Sequence, residues 1–115
     1  MTDDVEYVNE VQLVGRVSGP PRERVLPSGD QLVTARIVVP RPPARQRDRP
    51  RASVDTVDCV AWTSRPRAVL GGLQPDDIVM VHGALRRRFW RAEHGPASKV
   101  EVEVAKAKRL RKAAA

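Results

Sequence analysis

Arg86, Arg88 and Trp90 stand at alternate positions in the segment Gly-Ala-Leu-Arg-Arg-Arg-Phe-Trp-Arg (83–91). This segment holds two of the chain's four aromatic rings and four of its 21 basic side chains. Side chains of an extended strand alternate between two faces, so these three share one face and Arg87 and Phe89 the other. Cations beside a flat exposed ring suit a flexible polyanion whose bases can stack. Trp62, at the end of an alternating run, is a second stacking candidate, because its row mates Thr56, Asp58 and Val60 mark an outward face. Arg16 and Arg36 fall on outward rows of two other strand-like runs, and Arg41 opens an arginine-rich stretch. The competing reading is a solvated surface strand with one packed tryptophan.

Catalytic chemistry finds no support. Cys59 with His82 or His94 has no third group to orient a nucleophile and base, and a buried structural cysteine accounts for it. Asp76-Asp77 reads as a turn rather than an acid/base dyad. No Cys/His cluster has zinc spacing, and Pro27-Ser28-Gly29-Asp30 lacks the Gly-Lys-Ser/Thr of a phosphate-binding loop. The expectation is a binding protein, not an enzyme, with no cofactor and no metal.

The chain has 115 residues, enough for one small domain with a modest core. Its formal net charge is +7, unevenly spread. The first ten residues carry four acids and no base, so the remainder sums to +11. Arginine supplies 17 of the 21 cations, and its planar fork suits phosphate contact and stacking. Such a balance favours nucleic acid or an anionic surface as partner. No apolar stretch approaches the roughly 20 residues of a membrane span. The acidic start is unlike a signal peptide, and a lone cysteine fits a reducing interior. Together these place the protein in the cytoplasm, near the nucleoid, with no membrane partner.

Strands are expected over Asn9–Val17, Gln31–Val39 and Val54–Trp62, then over Ile78 to about Arg88 and Lys99 to about Ala107. Pro27–Asp30 is a turn. A short helix starts at Thr63 or Ser64, takes Pro66 in its first turn and ends at Gly71-Gly72. A hairpin loop spans about Trp90 to Ser98. Residues 1–8 form an acidic leader, 9–110 the domain, about 40–53 a mobile basic loop rich in proline and arginine, and 111–115 a disordered basic tail, with fraying from Lys106. Five short strands with a helix between the third and fourth match an all-β class, the OB-fold Greek-key barrel.

Several motifs, in order, then resemble the bacterial single-stranded DNA-binding protein family. Asn9 to Arg16 resembles its Asn-x-Val-x-Leu-x-Gly opening strand, and Leu26-Pro27-Ser28-Gly29 its first turn. Asp58-Cys59-Val60-Ala61-Trp62 is similar to the strand ending in an aromatic residue, and Ile78 to Trp90 to the Val-x-Val-x-Gly-x-Leu-x-x-Arg-x-Trp stretch. The resemblance implies a homodimer or homotetramer that binds single-stranded DNA without sequence preference in replication, repair or recombination. It implies that Trp62 and Trp90 stack on bases while Arg86 and Arg88 contact phosphates. Phe89 is then an equal candidate for stacking or a subunit interface. Arg16, Arg36 and Arg41 are further nucleic-acid candidates, Arg41 from the basic loop.

Departures from the family pattern are specific. Thr56 and the Pro42-Pro43 region replace two usual aromatics, and Asp58 stands where a base would be more usual. The chain ends in a basic stretch, not in the acidic tip through which the family recruits replication and repair partners, so the resemblance leaves such partners open. Fewer rings and more arginines predict binding that is more electrostatic and more salt-sensitive than is usual for the family. An alternative is a primosome-type interaction module bridging a helicase and DNA, since that family is also similar, short and without the tip. RNA binding ranks below both for lack of a cold-shock aromatic signature.

Overall fold

Alternation of apolar and polar residues gives the longer strands a buried row each, and burying all of these rows at once requires the sheet to curl. The computed structural model describes residues 4–42 and 53–114. Its elements are β1 (Val11–Val17), β2 (Arg22–Val25), β3 (Gln31–Pro40), β4 (Val54–Ala61), α1 (Ser64–Gly71), β5 (Ile78–Ala92) and β6 (Gly95–Arg111). The sheet order is β1-β5-β6-β4-β3-β2, and pairing of β1 with β3 at Arg16–Val38 and Val17–Ile37 closes the ring. Neighbours are antiparallel except β4 and β6, which run parallel. This is the OB-fold barrel expected from the strand pattern.

The interior is aliphatic. Val17, Ile37, Cys59, Val79 and Val81 are fully buried, with Val102 and Val104 completing the wall from β6. Burying one such side chain contributes about 1.5–3 kcal/mol. Helix α1 covers one end of the barrel through Pro66 and Leu70, and Leu73 continues that plug. Thr63 is its N-cap residue, but makes no side-chain capping bond; Arg67 N–H closes the first turn onto the Thr63 carbonyl at 3.0 Å.

Three features differ from the sequence-based expectation. A sixth strand, the four-residue β2, pairs along β3 from Arg22–Thr34 to Val25–Gln31. It sits just after Gly19-Pro20-Pro21 and is too short and polar for periodicity to announce. The β5–β6 hairpin is far longer than expected, pairing Ala92 with Gly95, so only Glu93 and His94 form the turn and Trp90 lies on a strand. Gly95 adopts φ +124°, a conformation that suits glycine. Finally, β6 runs to Arg111, so Lys106–Arg111 are not frayed but pair with Ile78–His82. Beyond the strand, Ala113 N–H donates to Asp77 Oδ1 at 2.7 Å, which ties down part of the tail expected to be disordered. Most of the basic loop expected over 40–53 lies outside the described residues; its described ends meet where Arg41 N–H donates to the Ser53 carbonyl at 2.8 Å.

Two residues lock this geometry. At Gly83 the register slips, with His82 opposite Lys106 but Gly83 opposite Val104, which leaves Ala105 as a bulge. A Cβ on Gly83 would run into the Glu103 carbonyl and lie 2.8 Å from its carbon and 3.1 Å from Val104 Cα. Asp77, buried to 1 % exposure, accepts from Gln74 N–H at 2.9 Å and from Ala113 N–H, with Arg109 Nη1 at 3.3 Å. The Gln74 and Ala113 amides, helped by Arg109, outweigh burial and hold its carboxyl below the usual carboxylate range.

Gly83→Ala is expected to lower unfolding free energy by about 1–3 kcal/mol, the cost of forced overpacking, read from thermal or denaturant melts. For Asp77 the folded pKa lies below the unfolded value of about 3.9. Its stabilisation is therefore complete above about pH 5 and is lost as pH falls through the lowered folded value. Melting temperatures measured from neutral pH downward should fall less steeply in acid for Asp77→Asn than for the wild type.

Candidate nucleic-acid interface

Strand register carries side-chain rows across a sheet, so an outward residue on one strand meets an outward residue on the next. Five strands contribute to one outer face here. Arg22 aligns with Thr34, Arg36 with Asp58, Arg86 with Glu101, Arg88 with Lys99 and Trp90 with Ala97. Because β4 and β6 match at Cys59–Val102 and Val60–Glu103, Asp58 and Glu101 are neighbours at the middle of the face. A groove of about 410 Å³ opens over it, lined among others by Arg22, Arg24, Arg36, Asp58, Arg88 and Lys99.

Trp90 closes the hairpin end of this face. It is 44 % exposed, and the Arg88 guanidinium carbon sits 5.6 Å from its ring centroid. Such an exposed cation–π contact contributes about 0.5–1 kcal/mol and steadies both partners. Trp62 follows β4 directly, half-buried, just before the helix cap. Extending the register places it level with about residue 105 of β6, while Trp90 stands opposite Ala97. At 3.3 Å per residue the two indoles are separated by roughly 25 Å along the strands. Phe89 occupies the other row with Leu85, Arg87 and Val100, and is 71 % exposed. Arg87 Nη1 donates to Ser98 Oγ at 3.0 Å on that opposite side.

The arginines singled out from the sequence are all engaged by carboxylates. Arg36 Nε donates to Asp58 Oδ1 at 3.1 Å, and Lys99 Nζ lies 3.2 Å from Asp58 Oδ2. Arg86 Nε donates to Glu103 Oε2 at 2.8 Å, and Arg88 Nε is 3.5 Å from Glu101 Oε1. Arg41 grips Asp55 Oδ1 through Nε and Nη2 at 3.0 and 2.8 Å, and Arg16 Nη1 lies 3.6 Å from Asp76. Partial burial opposes ionisation of Asp58, but Arg36 and Lys99 outweigh it and hold the carboxyl below its ordinary range. The face thus brings together Arg36, Arg86, Arg88 and Trp90. Arg16, near the end of β1, reaches Asp76 in the turn entering β5, and Arg41 belongs to the base of the β3–β4 connection; neither lines the groove.

Sequence reading missed Arg22, Arg24 and Lys99. Among the described residues neither Arg22 nor Arg24 enters an ion pair, so β2 brings unneutralised cations to the groove. The signal was the alternation Arg22-Glu23-Arg24-Val25, hidden by its brevity after two prolines. Cys59 is fully buried beneath the groove, and burial, with Asp58 and Glu101 nearby, pushes its thiol up to about 12. It is a protonated core residue at neutral pH. Among the described residues no group of three His, Cys, Asp or Glu side chains is placed to hold a metal ion, and no helix is long and apolar enough to cross a membrane.

The chain is 31% identical over 88 residues to the single-stranded DNA-binding protein of Bacillus cereus, covering 76% of this chain and 51% of that one. It is 30% identical over 88 residues to single-stranded DNA-binding protein A of Bacillus subtilis, covering 76% and 50%. The chain therefore spans about half the length of these curated relatives. A solved structure, the Plasmodium falciparum SSB complex with ssDNA, shares the fold with a TM-score of 0.73 and 21% identity over 92% of this chain and 96% of that one. The model of the Single-strand binding protein family matches residues 8–110, and the chain belongs to that family.

Proposed function

We propose that this protein binds single-stranded DNA without sequence preference, covering exposed strands during replication, repair or recombination, and acts by binding alone. The observation that carries this reading is the pairing of an exposed Trp90, braced by Arg88, with a cation-lined groove on the same sheet face. Family membership supports it.

A strand laid along the face stacks a base on Trp90 and passes its phosphates over Arg88, Lys99 and Arg36 toward Arg22 and Arg24. Trp62 offers a second ring at the far end, with less open surface. Phe89 faces the opposite side, so it serves a subunit contact or a strand crossing from another subunit. Arg86 stands one pair further in, behind its Glu103 bond. Arg16 and Arg41 extend the positive rim outside the groove.

Assembly into a homodimer or homotetramer belongs to the same reading. β1 pairs β3 only at Arg16 and Val17, leaving its edge from Val11 to Val14 without a strand among the described residues. Val14 is 48 % exposed beside it. An open edge of this kind is a template for pairing with another copy.

Titration with oligo-dT should quench tryptophan emission and weaken as salt rises, with a log–log slope of about −0.7 per phosphate neutralised. Trp90→Ala should cost about 1–3 kcal/mol of binding, and Trp62→Ala less. Unchanged emission together with unaltered oligonucleotide mobility at low salt would refute strand binding. In a separate measurement, light scattering should give two or four chain masses, and one chain mass would remove the assembly proposal.

A further inference from the structure

We propose that Asp58 sets the affinity of the groove by competing with nucleic-acid phosphate for Arg36 and Lys99. This rests on the strand-binding reading above. Asp58 sits at the junction of β4 and β6, in the groove wall, with its side chain 31 % exposed. One carboxylate oxygen receives Arg36 Nε and the other faces Lys99 Nζ, so a single acid occupies both cations. Glu101, its neighbour on β6, holds Arg88 at 3.5 Å in the same way. Two of the groove's acids therefore stand against three of its cations.

The sign of the effect follows from charge. A phosphate approaching Arg36 and Lys99 meets a net charge near +1 rather than +2, and must share both donors with a carboxylate that stays ionised at neutral pH. Arg22 and Arg24 line the same groove with no acid bound to them among the described residues. These two are the groove's full-strength phosphate contacts, and the Asp58 pair are attenuated ones. Exposed ion pairs contribute little to folding, so the role of Asp58 falls on binding, where it weakens the grip and speeds release of the strand.

Fluorescence anisotropy of labelled oligo-dT with the full chain, from about 50 to about 200 mM salt, tests this. Asp58→Asn should tighten binding by about three- to tenfold at the low-salt end and steepen the log–log salt slope by about 0.7 for each cation released. Arg24→Ala should weaken binding more than Arg36→Ala does, which gives a second readout should Asp58→Asn prove unstable in a melt. A folded Asp58→Asn variant that binds equally or more weakly would overturn the inference, as would a larger loss for Arg36→Ala than for Arg24→Ala. Those results leave wild-type binding intact. Absence of wild-type binding would instead remove the strand-binding reading and this inference with it.

Discussion

The pairing of β5 with β6 is the constraint on which the rest of the molecule depends. Two strands of 15 and 17 residues run together from the barrel base to the hairpin tip. Their inner halves bury Val79, Val81, Val102 and Val104, and their outer halves present Arg86, Arg88, Lys99 and Trp90. One ladder thus serves as core wall and as the face proposed to bind. Its period-two alternation must hold across both uses, and the bulge at Ala105 absorbs the bend between them. Gly83 permits this because its missing side chain lets the Glu103 backbone come close. A residue slip here would turn Trp90 to the side now held by Phe89 and turn valines out of the core.

Charge on the face behaves differently from charge in the composition. A net +7 predicts a strong, diffuse attraction for polyanions. The structure distributes that charge unequally, because Arg36, Arg86, Arg88 and Lys99 each lie against a carboxylate while Arg22 and Arg24 meet none among the described residues. Long-range steering depends on the sum and is unaffected by this pairing. Close-range grip depends on which donors a phosphate reaches without displacing an acid. The expectation of unusual salt sensitivity, drawn from the arginine count, therefore has to be referred to the free cations and not to all of them.

Much of the barrel was legible because its strands are amphipathic. Val33-Ala35-Ile37 and Val57-Cys59-Ala61 alternate cleanly, and each row lies in the core or packs against it. The helix was marked by Pro66 and by Gly71-Gly72, and it occupies residues 64–71. What escaped was decided by partners distant in sequence. β2 exists because β3 offers an edge, not because four residues favour extension. The order of Lys106–Arg111 comes from β5 on one side and from Asp77, some 30 residues earlier, beyond the strand end. At the site, alternation separated Trp90 from Phe89, but only the fold shows that Arg16 and Arg41 lie off the groove and that Asp58 bridges two cations.

The scarcity of rings gives these ion pairs their weight. Each base stacked on an aromatic side chain is worth about 1–3 kcal/mol, and the face offers one well-exposed indole with a second, half-buried, roughly 25 Å away along strands rising 3.3 Å per residue. Between them lie arginine, lysine, aspartate and glutamate in alternation, with Thr56 on the same outward row as Asp58. On the proposed strand-binding reading, a DNA strand crossing that interval is held by charge more than by stacking, and its grip there is the difference between phosphate–arginine and carboxylate–arginine attraction. Such a difference is small and reversible even where each term is large. On that same proposed reading, the carboxylates turn a face that composition alone would make uniformly adhesive into one that is firm at β2 and at Trp90 and loose in the middle.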